Sequence, residues 1–205
     1  MSQRERQRYH LLKMVTGGRI IEEDTMAVTV PKEKLLDEAE ARAYNYEKEY
    51  RYCSQCTLLA LQELFGLESE DAFKAASGFP GGIGRMGSVC GGLTGAVMAI
   101  GLLFGRSLQD AKIADPEARL QRGQEIEFRQ MELIKKLFDR FEEEYGSIFC
   151  DDIERKIFGR SFDKWNPEER MEKDRMGGHT DKCPMVVGKA VRWAAEVILE
   201  EQEKG

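Results

Sequence analysis

The residues of this 205-residue chain best suited to chemistry are its five cysteines, Cys53, Cys56, Cys90, Cys150 and Cys183. A thiolate is both a nucleophile and a metal ligand. Cys53, Cys90, Cys150 and Cys183 each fall where the residue pattern starts a helix. A helix start carries unpaired N–H groups and about half a positive charge, and both stabilise an anion. The expectation is a lowered thiol pKa and a readiness to react or to bind metal. Cys183-Pro184 is the clearest case, because proline suits the first helical position and makes Cys183 the expected cap. A single buried cysteine is often a small apolar filler. Four of them at helix starts favour a site over filler.

Cys53-Ser54-Gln55-Cys56 is a CxxC, a spacing that suits one bridging metal or a disulfide. There is no second CxxC, so a local four-cysteine knuckle is excluded and any site recruits cysteines distant in sequence. His179, four residues before Cys183, is a candidate ligand in a polar stretch that reads as solvated. His10 lies in the N-terminal arm and reads as incidental. Two histidines, without an acidic residue flanking a candidate nucleophile, argue against a Cys–His hydrolase.

Gly82-Ile83-Gly84-Arg85-Met86-Gly87 matches GxGxxG. A dinucleotide fingerprint needs a strand before it, whereas Asp71 to Ser77 reads as helix. The run reads instead as a sharply bent loop, whose free N–H groups suit a sulfur or an anion. Gly82, Gly84, Gly87 and Gly91 are therefore the candidate cofactor-binding residues. Gly91 and Gly95, four apart, allow another backbone to pack closely. Arg85 either adds positive potential near Cys90 or is simply a surface residue.

The elements that must position these groups are almost all helical. Helices are expected from Lys32 to Glu49, Cys53 to Phe65, and Ser69 to Ala76. Gly66 ends the second, and Ser69, Glu70 and Asp71 open the third. An uncharged stretch from Met86 to Gly105 lies between Arg85 and Arg106. It is long enough to cross a bilayer but rich in glycine, and it reads as a central helix buried on all sides. Asp115-Pro116 opens a long helix with an apolar stripe of Leu120, Phe128, Met131, Ile134, Leu137, Phe138, Phe141 and Tyr145. Gly146 ends it. Short and long helices follow from Cys150 to Phe158 and from about Cys183 to Glu203, and residues 159–181 read as an irregular surface excursion. Residues 1–30 form an arm in which two short β-branched runs around Gly17-Gly18 suggest a hairpin. The expected architecture is all-α: a compact bundle around a buried Gly-rich central helix, with an irregular arm over 1–30 and a cysteine-containing domain over 31–205.

Composition sets the class. Hydrophobic residues make up 41% and charged residues 33%, a globular balance. The net charge of -6 lacks the basic footprint of a nucleic-acid binder. The charged start, without a following apolar core, is not a secretory signal. The cysteines are expected in a reducing cytoplasm, where metal binding or redox chemistry outnumbers structural disulfides. Four converging thiolates suit an iron–sulfur cluster or zinc, and such a shared ligand set is favoured over a purely dithiol exchange site.

The run from Gly78 through Cys90-Gly91-Gly92 to Leu102 resembles the signature of the C_GCAxxG_C_C family, whose label of redox-active rests on its cysteines. Cys53-Ser54-Gln55, Gly146-Ser147-Ile148-Phe149-Cys150 and Lys182-Cys183-Pro184 resemble its other blocks, in the same order. Its four recurring cysteines correspond to Cys53, Cys90, Cys150 and Cys183. Gly92 replaces the family's alanine, and Cys56 stands where the family has a small apolar residue. The arm and the stretch 159–181 look like additions. The resemblance implies a small bacterial or archaeal helical protein, often associated with transporters. Its cysteines would form a catalytic thiol-redox site or a metal or iron–sulfur site, served by an electron or thiol partner. Neither nucleic acid nor membrane insertion is expected, and a homodimer is compatible. The other class of function is a non-enzymatic helical interaction or sensor module with structural cysteines.

Overall fold

The structure, a computed structural model, describes residues 31–204, so the expected hairpin and His10 lie outside the described residues. Those described form helices and no strand, with one isolated antiparallel bridge between Val89 and Phe149. The helices are α1 (Lys32–Tyr50), α2 (Cys53–Phe65), α3 (Glu70–Ala76), α4 (Gly91–Phe104), α5 (Leu108–Ala111), α6 (Pro116–Tyr145), α7 (Cys150–Phe158), α8 (Pro167–Arg175) and α9 (Cys183–Glu203). A π-helical turn, Gly178–Lys182, runs directly into α9.

The local signals work as expected. The Ser69 hydroxyl accepts from the Ala72 N–H and the Asp115 carboxylate from the Glu117 N–H, each supplying an acceptor to an otherwise unpaired helix end. Gly66 and Gly146 end α2 and α6 in the left-handed conformation. The core is built from Leu36, Ala39 and Ala43 of α1, Leu58, Leu61 and Leu64 of α2, and Leu93, Ala96 and Ile100 of α4. Leu133, Leu137 and Phe141 of α6 and Val187, Val191 and Ile198 of α9 complete it. Helix α9 lies along α1, and α2 lies along α4. Gly95 makes the second approach possible, since a Cβ there would stand 2.9 Å from Thr57 Cβ.

Three expectations need correction. Helix α4 is not buried on all sides: Leu93, Ala96, Ala99 and Ile100 are buried, but Leu102 is 41% exposed near its end. No helix among the described residues is long and apolar enough to cross a membrane. In α6 the covered stripe is Ile126, Leu133, Leu137, Phe141 and Tyr145, whereas Leu120, Phe128 and Met131 are exposed. The reason is the face: Phe128 and Met131 lie between buried Ile126 and Leu133 along α6, but each stands two residues, about 200° of helix, away from one of them. Finally, residues 159–181 are not irregular. Asn166 caps α8 by accepting from the Glu168 and Glu169 N–H groups, with Pro167 at the first position, and the π-turn follows.

Candidate functional site

The starts of α2, α4, α7 and α9 come together, and the connections before them explain how. The backbone of Ser88–Cys90 runs beside that of Ile148–Cys150. The Cys90 N–H donates to the Ile148 carbonyl at 2.9 Å, and the Cys150 N–H to the Ser88 carbonyl at 2.7 Å. These two bonds align the heads of α4 and α7. Cys53 is set by the turn between α1 and α2, where Arg51 and Tyr52 both have positive φ, at 59° and 65°. Two consecutive non-glycine residues in that region are strained, a cost met by surrounding contacts. Gly91 then lets α4 approach, because a Cβ there would collide with Cys53 Sγ.

Cys90 is buried, Cys53, Cys150 and Cys183 are half-buried as residues, and the sulfurs of all four are desolvated. Cys90 lies within electrostatic reach of all three, and Cys53 also senses Cys150. The Gly-rich loop from Gly78 to Gly87 covers part of this group, and the Gly81 N–H points at the Cys53 sulfur. The other candidate glycines serve the loop itself. Gly82 sits against the Ser88 backbone, Gly87 leaves room for the Asp151 carboxylate, and Gly84 meets nothing within 4 Å. The element before this loop is α3, so no dinucleotide fold is present here. Arg85 is exposed, a surface residue.

The expectation of lowered thiol pKa values is overturned. Burial pushes Cys53, Cys150 and Cys183 up, and Cys90 up to about 11. The helix-end effect is real: the Gly92 and Leu93 N–H groups favour a Cys90 thiolate. It amounts to about 0.3–1 kcal/mol, or ~2 in partly buried geometry, whereas taking a thiolate out of water costs more. Cys183 has a further difference from expectation. The π-turn makes Lys182 the cap and Cys183 the first residue of α9, and the Cys183 N–H is already paired with the Gly178 carbonyl. Its help comes instead from an ammonium, since Lys173 reaches its sulfur and favours the thiolate.

The charges around the thiols were not visible as a site in the sequence. Lys164 and Lys173, with side chains 6% and 12% exposed, share the buried carboxylate of Glu154 at 2.9 and 2.7 Å. Lys164 also pairs with Asp151. The Cys150 thiol points toward Glu154 at 3.9 Å. On the opposite side, buried Glu47 accepts a bond from His179 Nδ1 at 2.9 Å, and His179 Nε2 lies 3.7 Å from Asp174. His179 is therefore held by a buried carboxylate rather than solvated. Cys56 is buried, its thiol donating to the Arg51 carbonyl at 2.7 Å. The one sequence signal that could have led to them is Asn166-Pro167-Glu168-Glu169, which opens α8 and so brings Lys173 to the thiols.

Zinc and iron–sulfur centres need at least three such ligands around one point. Among the described residues no three His, Cys, Asp or Glu side chains are grouped to hold a metal ion. As placed, the thiols do not fit that cage.

Comparison with known proteins agrees with the cysteine pattern. Residues 51–197 match the family described as "Putative redox-active protein (C_GCAxxG_C_C)". An uncharacterized protein of Archaeoglobus fulgidus is 28% identical over 170 residues, covering 81% of this chain and 97% of that protein. No solved structure matches. The chain belongs to the C_GCAxxG_C_C family.

Proposed function

We propose that the chain is a thiol–disulfide redox protein in which Cys183 opens a disulfide of a partner and Cys90 closes the exchange. The observation that carries this reading is the position of Cys90, a buried thiol at the head of α4 in electrostatic contact with the three half-buried ones. Cys183 is the entering nucleophile because the Lys173 ammonium is placed to hold its thiolate. Its sulfur attacks one sulfur of the partner's disulfide, and the other partner sulfur leaves as a thiolate. Cys90 then attacks Cys183, the Cys90–Cys183 disulfide forms, and the second partner sulfur leaves. Two protein thiols are oxidised and one partner disulfide is reduced. Cys53 and Cys150 form a second pair that can exchange with Cys90. A reducing, cytoplasmic setting and a thiol-bearing protein partner suit this cycle.

The test is equilibration of the full chain with glutathione buffers of graded potential, followed by trapping of free thiols. The expected result is a two-electron transition that Cys90→Ser abolishes. A second reading, a helical interaction module, draws on the exposed Leu120, Phe128 and Met131 of α6. It predicts thiols that stay reduced at every potential, and that outcome would replace the first reading.

A further inference from the structure

The thiol sulfurs are desolvated, so a molecule that exchanges with them first meets what lies over them. Over the heads of α2 and α4 that is the Gly78–Gly87 loop. A Cβ on Gly91 would meet both Cys53 Sγ and, at 3.4 Å, the Phe79 carbonyl of this loop. The loop is tied to itself. The Ile83 N–H donates to the Phe79 carbonyl at 2.9 Å, the Gly87 N–H to the Gly81 carbonyl at 3.0 Å, and the Ser88 N–H to the Gly82 carbonyl at 3.0 Å. Even so, Ile83 and Arg85 have positive φ, at 55° and 66°. A β-branched residue in that region is strained, and glycine in its place would remove the strain. Ile83 is nonetheless exposed, so much of its side chain packs on nothing in this chain. Strain of this kind gathers at active sites and ligand clamps.

A single exposed apolar side chain is ordinary on a protein surface. Here four stand on segments that touch. Ile83 and Met86 belong to the loop, Phe149 precedes Cys150, and Trp165 follows Lys164, and all four are exposed. The Asp151 N–H donates to the Gly87 carbonyl at 3.2 Å, which joins the loop to the head of α7. Lys164 Cδ lies 3.2 Å from the place of a Cβ on Gly81, which joins the loop to the segment before α8. The charges beside these residues are occupied. Lys164 pairs with Asp151 and Glu154, and the Asp163 carboxylate accepts from the Trp165 backbone N–H at 2.9 Å. Arg85 is the exception: it is exposed, and its guanidinium has no ion pair among the described residues.

We propose that Ile83, Arg85 and Met86, with Phe149 and Trp165, form the surface on which the disulfide-bearing partner docks, and that this partner is a protein presenting an apolar segment and a carboxylate beside its disulfide. The proposal rests on the thiol-exchange reading above. The carboxylate follows from Arg85, whose planar guanidinium suits a carboxylate and finds none in this chain. The apolar segment follows from the four exposed side chains, which a small polar disulfide would leave in water. The disulfide follows from position, since the surface adjoins Cys150 at Phe149 and covers Cys53 through the loop. A loop already held by its own hydrogen bonds presents these side chains without being ordered at the moment of binding, and that spares affinity.

The test compares the rates at which the full-length chain exchanges with three disulfides. Two are synthetic cyclic peptides, each closed by one disulfide next to a Leu-Phe pair, with Glu beside the disulfide in one and Lys in the other. The third, hydroxyethyl disulfide, carries neither charge nor apolar segment. The wild type should react about fivefold faster with the Glu peptide than with the Lys peptide, the scale of an exposed charge pair. Arg85→Glu should reverse that preference and leave the rate with hydroxyethyl disulfide unchanged. Ile83→Gly should slow both peptides about tenfold, the scale of an aliphatic side chain left uncovered, again without changing the small disulfide. Glycine suits the backbone at that position, so this variant keeps the fold and carries the test should Arg85→Glu fail to fold. Equal rates with the two peptides in the wild type, or a loss in Ile83→Gly that extends to hydroxyethyl disulfide, would overturn the docking surface. So would binding to phosphatidylglycerol vesicles that Ile83→Gly abolishes, which gives the surface to a membrane, or a dimer that Ile83→Gly dissociates, which gives it to a second copy. A wild-type chain that does not exchange with hydroxyethyl disulfide removes the thiol-exchange reading itself, and the docking surface with it.

Discussion

Two places in this protein gather several opposite charges around one residue, and they differ in almost every physical respect. At the seam of α1 and α9, Arg192 reaches Glu33, Asp37 and Glu40 of α1 and Glu196 of its own helix. The first two carboxylates are 74% and 69% exposed, so water and salt already satisfy them. Beside the thiols, Glu154 is 2% exposed and is held by two lysines that are nearly as buried. The first cluster decorates a helix pair that apolar packing already holds together. The second puts ions where desolvation costs several kcal/mol each, and it does so next to Cys150 and Cys183. A fold that needed only stability gains little from such a network. A site that must carry a thiolate through a reaction needs the positive charge there.

The largest effect expected from this contrast is at Glu154. Glu154→Gln leaves two buried ammonium groups short of a counter-charge and should destabilise the fold by about 3–5 kcal/mol, read as a lower urea midpoint that added salt does not restore. A loss below about 1 kcal/mol would place this cluster with the surface pairs. An intermediate effect is expected from the thiols at high pH. Below about pH 8.5 the thiols of folded and unfolded chains are both protonated, and the stabilising difference is fully present. Above it the unfolded chain ionises, while Cys90 keeps its proton up to about 11. Stability should therefore fall through that window, with a shallower fall in Cys90→Ser as measured by urea unfolding at about pH 7 and about pH 10. The smallest effect is at the other cluster. Arg192→Ala should cost no more than about 1 kcal/mol, and less in high salt.

The sequence reading was reliable where local chemistry decides and unreliable where water does. The bounds of α2, the Asp115-Pro116 opening of α6 and the glycine stops follow from backbone rules that act over a few residues. Asn166-Pro167 is the same signal as Asp115-Pro116. It is hard to read as a helix start because α8 lacks an apolar stripe and presents no buried residue of its own. The thiol pKa direction was misjudged for a related reason. A helix start can be read from sequence, but the burial that outweighs it depends on which loops and helices lie on top. Phe128 and Met131 are exposed because α6 carries apolar residues on two faces and its neighbours cover the one with Ile126 and Leu133, a choice that the sequence of α6 alone does not reveal. The Glu47–His179 and Lys173–Cys183 contacts join segments with no shared local pattern, and only the folded chain reveals them.

On the proposed reading, thiols from separate helix starts act as one exchange site with Cys90 at its centre. The most direct measurement is peptide mapping of the full chain after mild oxidation by glutathione disulfide, with free thiols blocked before digestion. The expected product is a disulfide joining Cys90 to Cys183, with Cys56 recovered as a free thiol. Five free thiols, or a bridge confined to Cys53 and Cys56, would contradict it.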